Sequence, residues 1–144
     1  MRVLAVIFLC GLASCSLGEK AHHTVSEFEW YGLEVTASAY NSVTWQTDGN
    51  PSIAAWGDTL YPGQKVIAVS RDLVQLGLTR NTMVKIDTLR DTFWVKDKMN
   101  RRWKNHIDIY MGTDIKKARQ WGKRKLDICY AVRIDSLTSK NNLK

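Results

Sequence analysis

The stretch VKDKMNRRWKNHIDIYMG, residues 95–112, decides the reading of this chain. An acid stands on an apolar flank at each end, Asp97 and Asp108, and between them lie four Lys or Arg, a Trp and a His. His106-Ile-Asp-Ile-Tyr-Met111 alternates strictly, so Ile107 and Ile109 face one side and Asp108 and Tyr110 the other. Thr92-Phe-Trp-Val-Lys-Asp97 reads as a second strand, and Lys98 to Lys104 as the basic hairpin loop that joins the two. An ionised acid in a core-like strand is costly unless it is paired or used. Two such acids around one basic loop must therefore be paired or put to use.

The neighbouring segments supply further elements. Glu34 to Tyr40 alternates and is rich in β-formers. Asn41 to Trp56 has loop composition, and Tyr61-Pro62-Gly63 signals a type II turn. Lys65 to Val69 is a continuous apolar run, the pattern of a strand buried on both faces. Asp72 to Gly77 reads as one helical turn, capped by Asp72 or Ser70 and ended by Gly77. Met83 to Asp87 alternates again. Asp114 to Trp121 reads as a helix with Thr113 as N-cap and Gly122 as its stop, and Lys125 to Ile134 as the last strand. About six short strands and two short helices imply a small, mainly β barrel or sandwich. Closure into a barrel also removes exposed strand edges.

The expected organisation is a signal peptide over 1–14, an anchor and tether over 15–33, the barrel domain over 34–135 and a polar tail over 136–144. Arg2 precedes an apolar run from Val3 to Ala13, which has the length of a signal-peptide core and is too short to span a bilayer. Leu12-Ala13-Ser14-Cys15 resembles a lipobox, which would make Cys15 the lipidated first residue and attach the protein to a membrane. Ser16 then implies the outer membrane, facing the periplasm. Cys129 is left alone in the folded part and reads as a small core residue, without a disulfide framework. His22-His23 lacks a third ligand nearby and reads as solvated linker. The net charge of +7 suggests an anionic partner. Export argues against nucleic acid and leaves lipid headgroups, wall polymers and peptide carboxylates. No Gly-rich phosphate loop or Cys/His metal spacing occurs, so no cofactor is expected, and a monomer is expected.

In this order the elements resemble the 3D (Asp-Asp-Asp) domain family. That family has a double-psi β-barrel, as in membrane-bound lytic transglycosylase A and, more distantly, RlpA-like lipoproteins. The resemblance runs from about Val35 to Ile134. It rests on Thr36-Ala-Ser-Ala-Tyr40, Ala54-Ala-Trp-Gly57, Ile67-Ala-Val69, Val95-Lys-Asp97, Ile107-Asp-Ile-Tyr110 and Ala118-Arg-Gln-Trp-Gly122. Asp97 and Asp108 match two of the three acids for which the family is named. Ser70 stands where the third would be, with Asp72 two places on.

The resemblance implies a six-stranded double-psi barrel that cleaves peptidoglycan glycan strands. In that chemistry one acid protonates the leaving oxygen and then takes the proton of the sugar's own C6 hydroxyl. Asp108 is implied as this acid/base and Asp97 as its support. The acid must hold its proton near neutral pH, which burial or a neighbouring carboxylate achieves. The alternative is an inactive peptidoglycan- or envelope-protein-binding barrel, with Asp108 neutralised by the nearby cations. Trp45, Trp56 and Trp103 lie in expected loops and are candidates for stacking on sugars, whereas Trp94 and Trp121 are expected in the core. Tyr110, Ser70 and Asp72 are further candidates for substrate contact. Asp48 and Asp58 read as loop acids. His106 stands beside Asp108 but reads as pointing to the opposite face, so no Ser-His-Asp set is expected.

Overall fold

A computed structural model describes residues 27–43 and 50–134. The expected signal segment, Cys10, the lipidation site Cys15, His22-His23, Trp45, Asp48 and the 136–144 tail lie outside them. Six strands and two helices follow in order: β1 (Phe28–Tyr40), β2 (Val66–Val69), α1 (Arg71–Gln75), β3 (Met83–Ile86), β4 (Thr92–Lys98), β5 (His106–Tyr110), α2 (Ile115–Trp121) and β6 (Arg124–Arg133).

The strands close into a barrel in the order β1-β5-β2-β4-β3-β6. β1 and β5 run parallel, as do β2 and β4, and the other neighbours are antiparallel. β5 therefore inserts between β1 and β2, and β4 between β2 and β3. This interlaced order corrects the hairpin reading of the opening stretch. β4 and β5 do not pair; β2 separates them, and the basic loop crosses over its end.

Alternation fills the interior. Each strand sends one i, i+2 pair inward: Val35 and Ala37, Ile67 and Val69, Val84 and Ile86, Phe93 and Val95, Ile107 and Ile109, Leu126 and Ile128. Full burial of each aliphatic side chain contributes about 1.5–3 kcal/mol against leaving it in water. The outer face of β1, β5 and β2 has its own small cover. The loop before β2 doubles back through the Ile53–Thr59 bridge and lays Ala54 and Leu60 on Val66 and Tyr110, with Tyr40 alongside. This cover explains why Val66–Val69 is buried at every position, against the usual alternation.

The turns obey their local chemistry. The Tyr61–Gln64 turn is closed by Gln64 N–H donating to Tyr61 O at 3.2 Å, with Gly63 at φ 92°. Gly112, at φ 60°, rests on that turn; a Cβ there would lie 3.1 Å from Pro62 Cα. α1 ends at Gly77 (φ 114°), where Leu78 N–H returns to Leu73 O. α2 is capped by Asp114, whose carboxylate accepts from Lys117 N–H at 2.9 Å, rather than by Thr113.

Other expectations are corrected by the strand register. β1 starts at Phe28, not Glu34, because β6 is long enough to pair with it from Phe28↔Arg133 to Ala37↔Arg124. Residues 28–33 are therefore strand, not tether. Their mostly exposed side chains hid the signal. Cys129 is exposed, opposite Gly32 and Lys85 on the outer face, because Ile128 and Tyr130 take the buried positions. Trp94 is 41% exposed, since Phe93 and Val95 claim the interior of β4. Trp121 packs partly buried against the main core, as expected.

Candidate functional site

The two acids of residues 95–112 meet across β2. Ala68 is the register partner of Asp108 on one side and of Asp97 on the other. For Asp108 this follows from alternation, since Ile107 and Ile109 point inward. For Asp97 it does not. Phe93 and Val95 point into the barrel, so simple alternation would send residue 97 inside as well. The register shift between Ile67 and Ala68 leaves Lys96 as an extra residue on β4 and turns Asp97 outward. Lys96 itself leads away from the acids, to Asn81 Oδ1 at 2.6 Å and Asp58 Oδ1 at 3.4 Å.

The loop that covers the outer face also closes over Asp97. One carboxylate oxygen, Oδ1, accepts from Ala55 N–H at 2.7 Å and from Lys98 N–H at 2.8 Å. Burial raises the Asp97 pKa, while these two amides and the Lys98 charge pull it back. Asp108 has less support. Its partner is the Ser38 hydroxyl, which donates to Oδ1 at 3.0 Å. Burial pushes Asp108 up to about 6; the Ser38 bond opposes the rise and the Asp97 charge adds to it. Among the described residues the ion pairs are Lys65–Asp91, Arg80–Asp58, Lys96–Asp58, Lys125–Glu34 and Arg133–Glu27. None of them involves Asp97 or Asp108. The cations of the 98–104 loop thus leave Asp108 unneutralised.

Three further side chains surround the acids. Tyr40 has an enclosed hydroxyl without a hydrogen-bond partner among the described residues. Burial and then the charges of Asp97 and Asp108 push its pKa far above the ordinary phenol value, so it is a neutral donor beside both acids. Its ring leans on Tyr110 at 5.3 Å. Ser38 stands opposite Asp108 in the β1–β5 register. On its other side, Ser38 Oγ lies 2.8 Å from His106 Nε2. His106 is 2% exposed, and burial, then the Lys123 charge, lowers its pKa, so the ring is neutral at pH 7. Asp108, Ser38 and His106 therefore form one hydrogen-bonded chain on the outer face. The expectation that His106 points away from Asp108 is wrong because the two are separated by two positions and share a face. The same count, applied to Thr36, Ser38 and Tyr40, would have found the other two residues.

The remaining expected site residues have varied positions. Ser70 is fully buried; its hydroxyl accepts from His106 N–H at 3.0 Å and its own N–H donates to His106 O at 2.9 Å. It clamps β2 to β5 and has no surface for substrate. Asp72 lies at the same clamp and accepts from Asn105 N–H at 2.8 Å. Burial raises its pKa, but the Asn105 amide and the Ser70 hydroxyl outweigh this and hold it low. Neither residue supplies a third acid to the Asp97–Asp108 pair. Tyr110 is 4% exposed, with its hydroxyl 2.7 Å from Ser42 Oγ, and serves the outer cluster rather than a substrate. Trp103 covers the His106 ring at 4.6 Å, with Arg102 and Lys123 above its own ring. Trp56 packs partly buried against the core and carries Lys98 Nζ 4.8 Å from its ring centre. Asp58, held below the usual carboxylate range chiefly by Arg80, ties the covering loop to Arg80 and Lys96.

No protein-family model matches the chain, and no curated protein matches it.

Proposed function

We propose that the chain cleaves glycan strands in the manner of a peptidoglycan lytic transglycosylase, with Asp108 as the single acid/base. The observation that carries this reading is the state of Asp108. It is a half-buried carboxyl with no cation partner among the described residues, raised to about 6 and facing a second carboxylate. A group that must first give and then take a proton works best with a pKa near the working pH. Asp108 gives its proton to the glycosidic oxygen as the C1–O bond breaks. The C6 hydroxyl oxygen then bonds to C1, and its proton returns to Asp108. Asp97, whose Oδ1 is held by two amides, is the acid that keeps its charge and faces the positive oxocarbenium-like state. Export through residues 1–14 and lipid attachment at Cys15 would place this chemistry at the envelope, facing the periplasm.

A second reading has one observation on its side. The Asp97 carboxylate fastens the covering loop through Ala55, a purely architectural task, and Ser70 stands where a third acid would be. On that reading the barrel binds peptidoglycan or an envelope protein without cleaving it. Digestion of purified sacculi separates the two. Anhydro-sugar products that disappear in Asp108→Asn support the enzyme. Sacculus binding with no products at any pH from 5 to 8 leaves the binding module.

A further inference from the structure

Beside Asp97 in the chain lies a concave surface of opposite charge. A groove of about 400 Å³ is lined by Trp56, Arg71, Val74, Gln75, Lys98 and Arg101. It belongs to the same structural unit as the acids. Lys98 follows Asp97 in β4, Ala55 precedes Trp56, and both backbone amides donate to Asp97 Oδ1. Two of the groove's lining residues, Lys98 and Trp56, are thus chain neighbours of Asp97 and of the amide that holds it. Its floor is fixed: the Trp56 ring packs against the main core and carries the Lys98 ammonium. Its cations form no salt bridge: among the described residues no carboxylate lies within ion-pairing distance of Arg71, Lys98 or Arg101, whereas Lys65, Arg80, Lys96, Lys125 and Arg133 each have one.

We propose that this groove binds a carboxylate-bearing peptide arm carried by the glycan, next to the acid pair. Two guanidinium forks and an ammonium recognise carboxylate or phosphate. Size and lining favour the peptide. A groove of this volume is far larger than a lone phosphate requires, and Trp56 with Val74 offers apolar surface to a side chain or an aliphatic stem. This assignment rests on the glycan-cleavage reading for what is held at Asp108, but not for the groove's own chemistry.

The test uses the full chain carrying Asp108→Asn, which prevents turnover. Calorimetry compares an N-acetylated disaccharide bearing a peptide with free carboxylates, the same compound with those carboxylates amidated, the free peptide alone, and inorganic phosphate. Three partly exposed charge contacts should favour the carboxylated compound over the amidated one by roughly five- to thirtyfold. That preference should shrink as salt rises and vanish in Arg71→Gln/Arg101→Gln, two exposed positions whose substitution leaves the barrel folded. Equal binding of the carboxylated and amidated compounds, with wild-type sacculus digestion intact, overturns the groove and spares the glycan-cleavage reading. Phosphate binding more tightly than the carboxylated compound also overturns it, in favour of a phosphate site. Arginine-dependent binding of free peptide and disaccharide-peptide alike, with no digestion of sacculi, supports the groove and removes the glycan-cleavage reading.

Discussion

Asp108→Asn should stabilise the folded chain at neutral pH, an effect opposite in sign to that of removing a paired acid. Burial raises the Asp108 pKa from 3.8 to about 6. At 1.36 kcal/mol per pH unit this rise corresponds to about 3 kcal/mol of native-state preference for the protonated form. Between those two values the native state holds a proton that the unfolded chain has released, so stability falls as pH rises through that window. Above the native pKa the loss is complete and stays constant. Asn keeps the shape and the Ser38 partner without the charge. The difference between variant and wild type should therefore be near zero at pH 4 and grow to at most about 3 kcal/mol by pH 7. Partial exposure and relaxation reduce this, and about 1–2 kcal/mol is the expected reading. Urea unfolding at half-unit pH steps measures it, with m-values compared to confirm the same unfolding reaction. Acid effects common to both proteins cancel in the difference. A difference that does not change from pH 4 to 8, or an Asn variant destabilised by more than 1 kcal/mol at pH 7, would refute the reasoning, because Asp108 would then be ionised and satisfied.

Asp97→Asn and Ser38→Ala should move the Asp108 titration in opposite directions. The first removes a charge that raises it and the second removes a bond that lowers it, so carboxyl-carbon NMR should show the pKa falling in one variant and rising in the other. Gly112→Ala should destabilise the chain by about 1–3 kcal/mol in thermal or urea unfolding, since φ 60° and a 3.1 Å approach to Pro62 Cα both oppose a side chain. In a chain with Cys10 and Cys15 replaced by Ser, Cys129 should react with a thiol reagent in the native state at close to its unfolded rate; strong protection would place it in the core after all.

The interior of the barrel was legible because it obeys one rule. Each strand contributes an i, i+2 apolar pair, and that pair is visible in residues 34–40, 83–87, 92–97 and 106–111. The limits of the reading came from facts that a single strand does not contain. The length of β1 depends on a partner about a hundred residues away, so Phe28–Leu33, mostly exposed, gave no local sign of pairing. The place of Asp97 depends on a register shift that only the β2–β4 pairing reveals. β5 and β4 looked like a hairpin because they are consecutive, yet an interlaced barrel puts β2 between them. Ser38 and His106 are different: the two-residue period already placed them with Asp108, and only miscounting hid them.

The acid pair is a local defect in an otherwise consistent design. Inside the barrel, propensity, pattern and packing agree; on the outer face of β1, β5 and β2 the chain instead covers two carboxylates with a loop and leaves Asp108 without a cation. An architectural acid would be expected to resemble Asp58, drawn low by Arg80 and Lys96, or Asp72, whose Oδ2 accepts from the Asn105 amide and whose pKa is held low. Asp97 partly meets that description, since its amides fasten the covering loop. Asp108 does not: its Ser38 bond fails to offset burial, and the neighbouring charge adds to the penalty. A marginally stable domain of this size has little free energy to spare for an acid that could be Asn or Ser at no cost to the fold. Violations of this kind concentrate where a site uses them. The case for chemistry at Asp108 therefore rests on the contrast among acids within one molecule. The Asp108→Asn measurement tests that contrast directly, because a gain in stability joined to a loss of sacculus digestion is the signature of a group kept for its reaction.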